Sequence, residues 1–268
     1  MKKGVFFSIV AILVVLFIGS GAYLANYFLE AKAHDDRNNQ LIDQKNQAAS
    51  AATSAPTETT DNTQPSDSQP TEPTEKQVIP EYKVLYEQNS DLVGWIKIDG
   101  TKIDYPVMQS SVDNKDFYLD HNFDKESDVR GAIYAREECD FFAPSDNVTL
   151  YGHNMRDGSQ FAALGSYYDK ATWEDNPLIF LDTLYEYHVY KIFAVFKTSA
   201  NVGEGFTYHR MEDAADEQEF NEFVATCKKL SFYDTGITPV YGDKLICLST
   251  CEYTLDNGRF VVAAVRIS

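Results

Sequence analysis

Lys244-Leu-Ile-Cys-Leu-Ser-Thr-Cys251 and Arg259-Phe-Val-Val-Ala-Ala-Val-Arg266 are two apolar runs joined by a short polar segment that contains Asp256-Asn257-Gly258. Each has the length and the aliphatic content of a buried strand. Neighbouring antiparallel strands joined by so short a loop bring Arg259 beside Cys251. The first run turns polar at Ser249, Thr250 and Glu252. A thiol therefore stands where a rigid strand ends and its surroundings become accessible.

The same pattern recurs upstream. Val93–Ile98 and Lys102–Val107 flank Asp99-Gly100, a hairpin signal. Gly131–Ala135, Asn147–Tyr151, Leu178–Leu181 and Tyr185–Thr198 also read as strands. Pro80–Asn89 reads as a helix with proline in its first turn, and Ser159–Tyr168 as a short one. Glu212–Leu230 is a longer helix, with Phe220, Phe223, Val224 and Cys227 at i, i+3, i+4 and i+7. Many strands with few helices predict a mainly β domain closed, or nearly closed, into a barrel. It has a helical lead-in at its N-terminus and a long helix before the cysteine strand.

This domain spans 79–268. Ahead of it, residues 1–33 comprise a short basic tip and an uncharged apolar stretch, 4–28. A helix needs about 20 apolar residues to cross the hydrocarbon core. Lys2 and Lys3 predict a cytoplasmic N-terminus by the positive-inside rule, so the rest of the chain is expected outside the cell. A cleaved signal peptide with Ala31-Lys32-Ala33 as its site is the competing reading, but the run exceeds the usual h-region of about 7–15 residues. Residues 34–78 are polar. Residues 29–46 read as a possible continuation of the helix. The stretch 47–78 is low in complexity, buries too little apolar surface to offset its ordering entropy, and reads as an extended tether.

The chain of 268 residues carries a net charge of −18, from 23 Lys and Arg against 41 Asp and Glu. No basic stripe exists to neutralise phosphates, which excludes nucleic acid as a partner. No Cys-x-x-Cys pair or other ligand cluster points to a metal, and no cofactor is called for. Four cysteines are too few for a disulfide scaffold. Cys247 and Cys251 on one strand lie about 13 Å apart, too far for a bridge that needs about 4.4–6.8 Å. Cys139 and Cys227 remain open to pairing.

Chemistry concentrates at the strand ends. Cys251 is a candidate nucleophile. His153, between Gly152 and Asn154 just past the strand 147–151, is a candidate proton carrier. Arg259 is a candidate for lowering the thiol pKa or steadying an oxyanion. Together they suffice for nucleophilic acyl transfer. Ser249 shares a strand face with Cys251 by the period of two and is a candidate to orient Arg259 or the substrate. Thr250, Asn154 and Glu252 are further supporting candidates. Glu252, Asp256 and Asp146 are the carboxylates considered for orienting His153. Among the other histidines, His121 and His209 are rivals from loops, His34 lies near the tether, and His188 lies within a strand.

Tyr151-Gly-His153-Asn, Leu248-Ser-Thr-Cys251 and Arg259 together resemble the sortases, the membrane-anchored cysteine transpeptidases of Gram-positive bacteria. The resemblance spans about 80–268. The family's Thr-Leu-x-Thr-Cys pattern appears as Cys247-Leu-Ser-Thr-Cys251, a departure that leaves the nucleophile untouched. The Leu-Ser-Thr-Cys form, the helical lead-in and the long helix before the cysteine strand are similar to class B. The resemblance implies a sortase β-barrel in which Cys251, His153 and Arg259 are the catalytic residues. It also implies cleavage of a C-terminal sorting signal after Thr, through a thioacyl-enzyme. Motifs like Asn-Pro-Gln-Thr-Asn or Ser/Pro-Pro-x-Thr-Gly are implied, with transfer to a peptidoglycan precursor amine of the lipid II type, and no calcium dependence. The loop 200–211 and the helix 212–230 would help form the pocket. A pilin-polymerising sortase and an inactive tethered binding module are the alternatives within this resemblance. An L,D-transpeptidase is disfavoured because its arginine follows the cysteine by two residues, not eight. A papain-like peptidase is disfavoured because its cysteine precedes its histidine.

Overall fold

The computed structural model describes residues 3–54, 76–201 and 203–268. Helix α1 runs Lys3–Ser54. The chain divides into two compact units, one ending at Asp43 and the other covering Gln44–Ser268. Within α1, Phe6–Thr53 contains a stretch long and apolar enough to cross a membrane. The helix carries on through 47–54, read above as extended. Ala48, Ala49, Ala51 and Ala52 explain this, since alanine loses least on entering a helix. The remainder of the tether, 55–75, lies outside the described residues.

In the second unit, helix α2 (Pro80–Tyr86) precedes strands β1 (Leu92–Lys97), β2 (Asp104–Gln109), β3 (Ile133–Ala135) and β4 (Asn147–Tyr151). A 3-10 helix Phe161–Tyr168, helix α3 (Lys170–Asp175), β5 (Leu178–Thr183) and β6 (Val189–Ser199) follow. Helix α4 (Glu217–Leu230), β7 (Leu245–Glu252) and β8 (Gly258–Arg266) complete the unit. The strands form a closed barrel in the order β1-β2-β3-β4-β7-β8-β6-β5, with β5 pairing back onto β1. Pairs β2–β3 and β4–β7 are parallel, and the others are antiparallel.

Alternation along β7 and β8 divides the apolar residues between two cores. Ile246, Leu248, Phe260, Val262 and Ala264 point into the barrel. Leu245, Cys247, Val261, Ala263 and Val265 point outward, against Phe220, Phe223, Val224 and Cys227 of α4. The seam read from the helix spacing is thus the one that covers the barrel.

Local chemistry moved some boundaries. Helix α4 starts at Glu217 rather than Glu212. Asp216 is its cap and accepts from the Glu219 N–H at 2.9 Å. Glu212 and Asp213 are held to the start of β4 instead, through Asn147 N–H to Glu212 O at 2.8 Å and Asp146 N–H to Asp213 Oδ1 at 3.0 Å. Strand β6 starts at Val189 rather than Tyr185. The Thr183 hydroxyl accepts from the N–H groups of Tyr185 and Glu186 and turns the chain there. The segment read as helix 159–168 is a 3-10 helix. All four cysteines are free, so Cys139 and Cys227, both buried, do not bridge.

Candidate active site

The parallel pairing of β4 with β7 decides where the chemistry gathers. Parallel neighbours end at the same edge, so the residues after Tyr151 and those at the end of β7 meet at one end of the barrel. Gly152 N–H donates to Ser249 O at 3.2 Å, and Asn154 Nδ2 donates to Cys251 O at 2.9 Å. Both chain neighbours of His153 are therefore fastened to the cysteine strand. The loop 253–257 turns the chain back, and the β7–β8 register sets Cys251 directly opposite Arg259. Cys251, Arg259 and Ser249 lie on the outward face with Cys247, whereas Thr250 lies on the alternate, barrel-facing side.

Cys251 is partly exposed. The other three cysteines are buried, and burial raises all of their thiol pKa values, that of Cys139 to about 11. Of the four, Cys251 alone combines accessibility with a site around it.

The imidazole of His153 makes its Nε2 contact to the Leu119 carbonyl at 2.7 Å. A carbonyl only accepts, so Nε2 carries the hydrogen. Among the described residues no hydrogen bond joins His153 to the Cys251 thiol. None of the three carboxylates considered as an orienting group touches the ring. Asp146 binds Lys244 at 2.8 Å. Asp256 accepts from Asn201 at 3.0 Å. Glu252 binds Lys197 at 2.7 Å and accepts from the Thr254 and Leu255 N–H groups. Glu252 is thus spent on the β7–β8 turn. Gly152 is needed for closeness rather than for a turn: a Cβ there would meet Ile133 Cδ1 at 2.5 Å and the Phe161 ring at 2.8 Å.

Arg259 folds back on its own hairpin. Its Nη1 donates to Asn257 O at 3.2 Å, Asn257 Oδ1 at 3.1 Å and Gly258 O at 2.9 Å. Among the described residues its Nη2 and Nε make no hydrogen bond, so one edge of the guanidinium is committed and the other is open. Ser249 does not reach Arg259. Its buried hydroxyl shares a hydrogen bond of 2.5 Å with the Tyr208 hydroxyl. The Thr250 hydroxyl is buried and has no partner among the described residues.

Beside this end, a cavity of about 260 Å³ lies along the outer face of β4, lined by Arg136, Tyr151, His209, Arg210, Glu138 and Glu212 among others. Arg136 lies over the Tyr151 ring at 5.3 Å and pairs with Asp116 at 3.0 Å. Burial lowers the His209 pKa, and the charges of Arg136, Arg210 and Arg259 add to the effect. His209 is thus the rival histidine that lines this cavity. His121 instead stacks on Phe117 and bonds Asp120, and His188 lines a separate cavity with the C-terminal residues. Arg136 and the Leu119 carbonyl were not foreseen as parts of this neighbourhood, whereas Tyr208 lies in the loop 200–211 expected to help form the pocket.

Known proteins share this fold. The Sortase domain family model matches residues 96–267. Sortase B of Listeria monocytogenes is 33% identical over 190 residues, covering 69% of this chain and 74% of that protein. Sortase B of Staphylococcus aureus is 29% identical over 192 residues, covering 71% and 76%. The Staphylococcus aureus sortase B–substrate complex superposes with a TM-score of 0.73 at 25% identity, covering 90% of this chain and 99% of that one. Sortase B from Bacillus anthracis in complex with AAEK1 gives 0.71 at 26% identity, with the same coverage. An eight-stranded closed barrel with a thiol and a guanidinium paired across its last hairpin, matched along most of its length by these proteins, makes the chain a member of the sortase family of cysteine transpeptidases, with class B relatives.

Proposed function

We propose that the protein cleaves a C-terminal sorting signal after Thr and transfers the new acyl end to an amine of a cell-wall peptidoglycan precursor. Cys251 is the nucleophile, His153 the proton carrier and Arg259 the oxyanion donor. The Cys251 thiolate attacks the Thr carbonyl. The C–S bond forms, the C–N bond breaks, and the leaving amine takes a proton from the His153 imidazolium. The acceptor amine then attacks the thioester and gives its proton to His153, and the C–S bond breaks to regenerate the thiolate. The open edge of Arg259 supplies the donor for the tetrahedral oxygen in each half.

The observation that carries this reading is the cross-strand pair Cys251–Arg259, with both neighbours of His153 bonded to the same strand. A related sortase B has been solved with its substrate, which supports a peptide signal as ligand. The signal is of the Asn-Pro-Gln-Thr-Asn or Ser/Pro-Pro-x-Thr-Gly type. The apolar part of α1 serves as a membrane anchor with a cytoplasmic N-terminus. The segment up to residue 78 holds the catalytic domain, 79–268, outside the cell.

The test uses the full chain in detergent with quenched peptides carrying these motifs and Leu-Pro-x-Thr-Gly, each with and without an added amine. The expected result is cleavage after Thr, an amide product when amine is present, and loss of both in folded Cys251→Ala. Turnover at the unsubstituted rate in that variant sinks the nucleophile assignment. Failure to cleave any peptide by the folded chain favours a binding module.

A further inference from the structure

In a thiol–imidazole pair a third group commonly fixes the imidazole, and a side-chain carboxylate or amide is the usual choice. No such side chain contacts His153 among the described residues. We infer that the backbone carbonyl of Leu119 is that third group, that Gly131 is the positioning residue holding it, and that Nδ1 of His153 is therefore the atom that carries the catalytic proton. The inference rests on the acid–base role proposed above for His153.

Geometry fixes the atom. With Nε2–H committed to the Leu119 carbonyl at 2.7 Å, the neutral ring has its lone pair on Nδ1. In the imidazolium Nε2 keeps its hydrogen bond while the Nδ1 proton is given to the leaving amine. Nδ1 later receives the proton of the acceptor amine. The Leu119 carbonyl neither gains nor loses a proton at any step.

The carbonyl is held from several sides. Tyr118, the residue before it, is fully buried, and its hydroxyl bonds Asp91 at 2.8 Å and Asn89 at 3.0 Å. The Tyr118 carbonyl accepts from the Ala132 N–H at 2.9 Å. Between these strands of chain sits Gly131, with φ of +57°. A Cβ on Gly131 would collide with the carbonyl oxygens of Tyr118 and Leu119, the second at 2.5 Å. Glycine is thus required twice, by its backbone conformation and by the carbonyl against which it packs.

The segment after His153 is tied to the same place. Gln160 Nε2 donates to Gly131 O at 3.1 Å, and Phe161 N–H donates to His153 O at 3.0 Å. The buried Arg130 pairs with Asp157 through Nε and Nη2, each at 3.2 Å. The short 3-10 helix Phe117–Leu119 that bears the carbonyl and the loop that bears the imidazole therefore belong to one hydrogen-bonded unit. Asn154 joins that unit to Cys251.

The test begins with the unsubstituted full chain, its histidines labelled with 15N in the ring and the His153 signals identified by their loss in His153→Gln. In its neutral form His153 is expected to show a protonated Nε2 and a bare Nδ1. The reverse pattern, or an equal mixture of tautomers, overturns the inference whatever the activity. Gly131→Ala is then expected to disturb this signature and to lower kcat by roughly a hundredfold, the scale for a misplaced catalytic group, with KM little changed and the pH profile of kcat altered. Gln160→Met, which removes the bond to Gly131 O, gives the same effects in weaker form and serves if Gly131→Ala does not fold. Gly165→Ala, where a Cβ meets nothing within 4 Å, is the control that retains full turnover. A folded Gly131→Ala or Gln160→Met with the original tautomer, kcat and pH profile refutes the positioning role. Full turnover in His153→Gln would instead sink the acid–base role itself, a failure the tautomer measurement tells apart.

Discussion

Replacing Arg259 by lysine separates the two edges of its guanidinium. Nη1 makes three hydrogen bonds to Asn257 and Gly258, while Nη2 and Nε make none among the described residues. Lysine keeps the charge but has one nitrogen on a flexible stem. It can satisfy the hairpin carbonyls or reach an oxyanion beside Cys251, and a single atom does not do both in one geometry. Loss of one oxyanion donor costs about 10²–10³ in kcat, or about 2.7–4 kcal/mol of transition-state stabilisation. The hairpin bonds lie at a partly exposed position, so the cost to folding is about 1 kcal/mol or less. Arg259→Lys is therefore expected to unfold within a few degrees of the unsubstituted protein and to lose at least about a hundredfold in kcat, with a small change in KM. Steady-state peptide cleavage and a thermal unfolding curve on the same preparation measure both. A kcat within about threefold of the unsubstituted enzyme refutes the oxyanion role. A large fall in melting temperature would make the arginine a structural brace.

Two further outcomes follow from the environment of the thiols and of Glu252. With iodoacetamide at neutral pH, the folded chain is expected to be alkylated at Cys251 and protected at Cys139, Cys227 and Cys247, whose burial raises their pKa, whereas all four react after denaturation; fast labelling of a second cysteine in the native state would contradict the core assignment. Burial pushes the Glu252 carboxyl up, but Lys197 and the Thr254 and Leu255 donors together hold it below its ordinary value. Its contribution to stability is present above the unfolded-state pKa and lost as pH falls through the folded one. Lys197→Met should therefore destabilise by on the order of 1 kcal/mol at pH 7 and by much less below the carboxylate range; melting curves across pH check this, and a difference independent of pH counts against the ion pair.

Much of the barrel was legible because its signals are local. The Asp99-Gly100 turn closes β1 onto β2, and the i, i+3, i+4, i+7 seam of Phe220, Phe223, Val224 and Cys227 is the face that α4 buries. The Cys251–Arg259 pair was legible for the same reason, since a short loop between antiparallel strands leaves little freedom of register. Boundaries failed where a side chain competed with the backbone. Thr183 stops β5 and delays β6, and Asp216 caps α4 past the start read at Glu212 and ahead of Phe220, where its hydrophobic pattern begins. Glu252, read as a support for substrate, is bound to Lys197, a partner on β6 that no spacing in the sequence brings near.

The orientation of His153 was illegible for a deeper reason. A search for an orienting group looks for carboxylates and amides, because those carry their chemistry in their names. Asp146, Asp256 and Glu252 are such groups, and each is occupied, by Lys244, Asn201 and Lys197 respectively. The atom in contact is a main-chain oxygen, which every residue has, so Leu119 carries no chemical mark of it. What the sequence does carry is the condition for placing that oxygen, namely a residue without a Cβ at position 131, where any other would collide with it. The trace of a backbone catalytic group is therefore to be sought one step away, in the glycine that makes room for it.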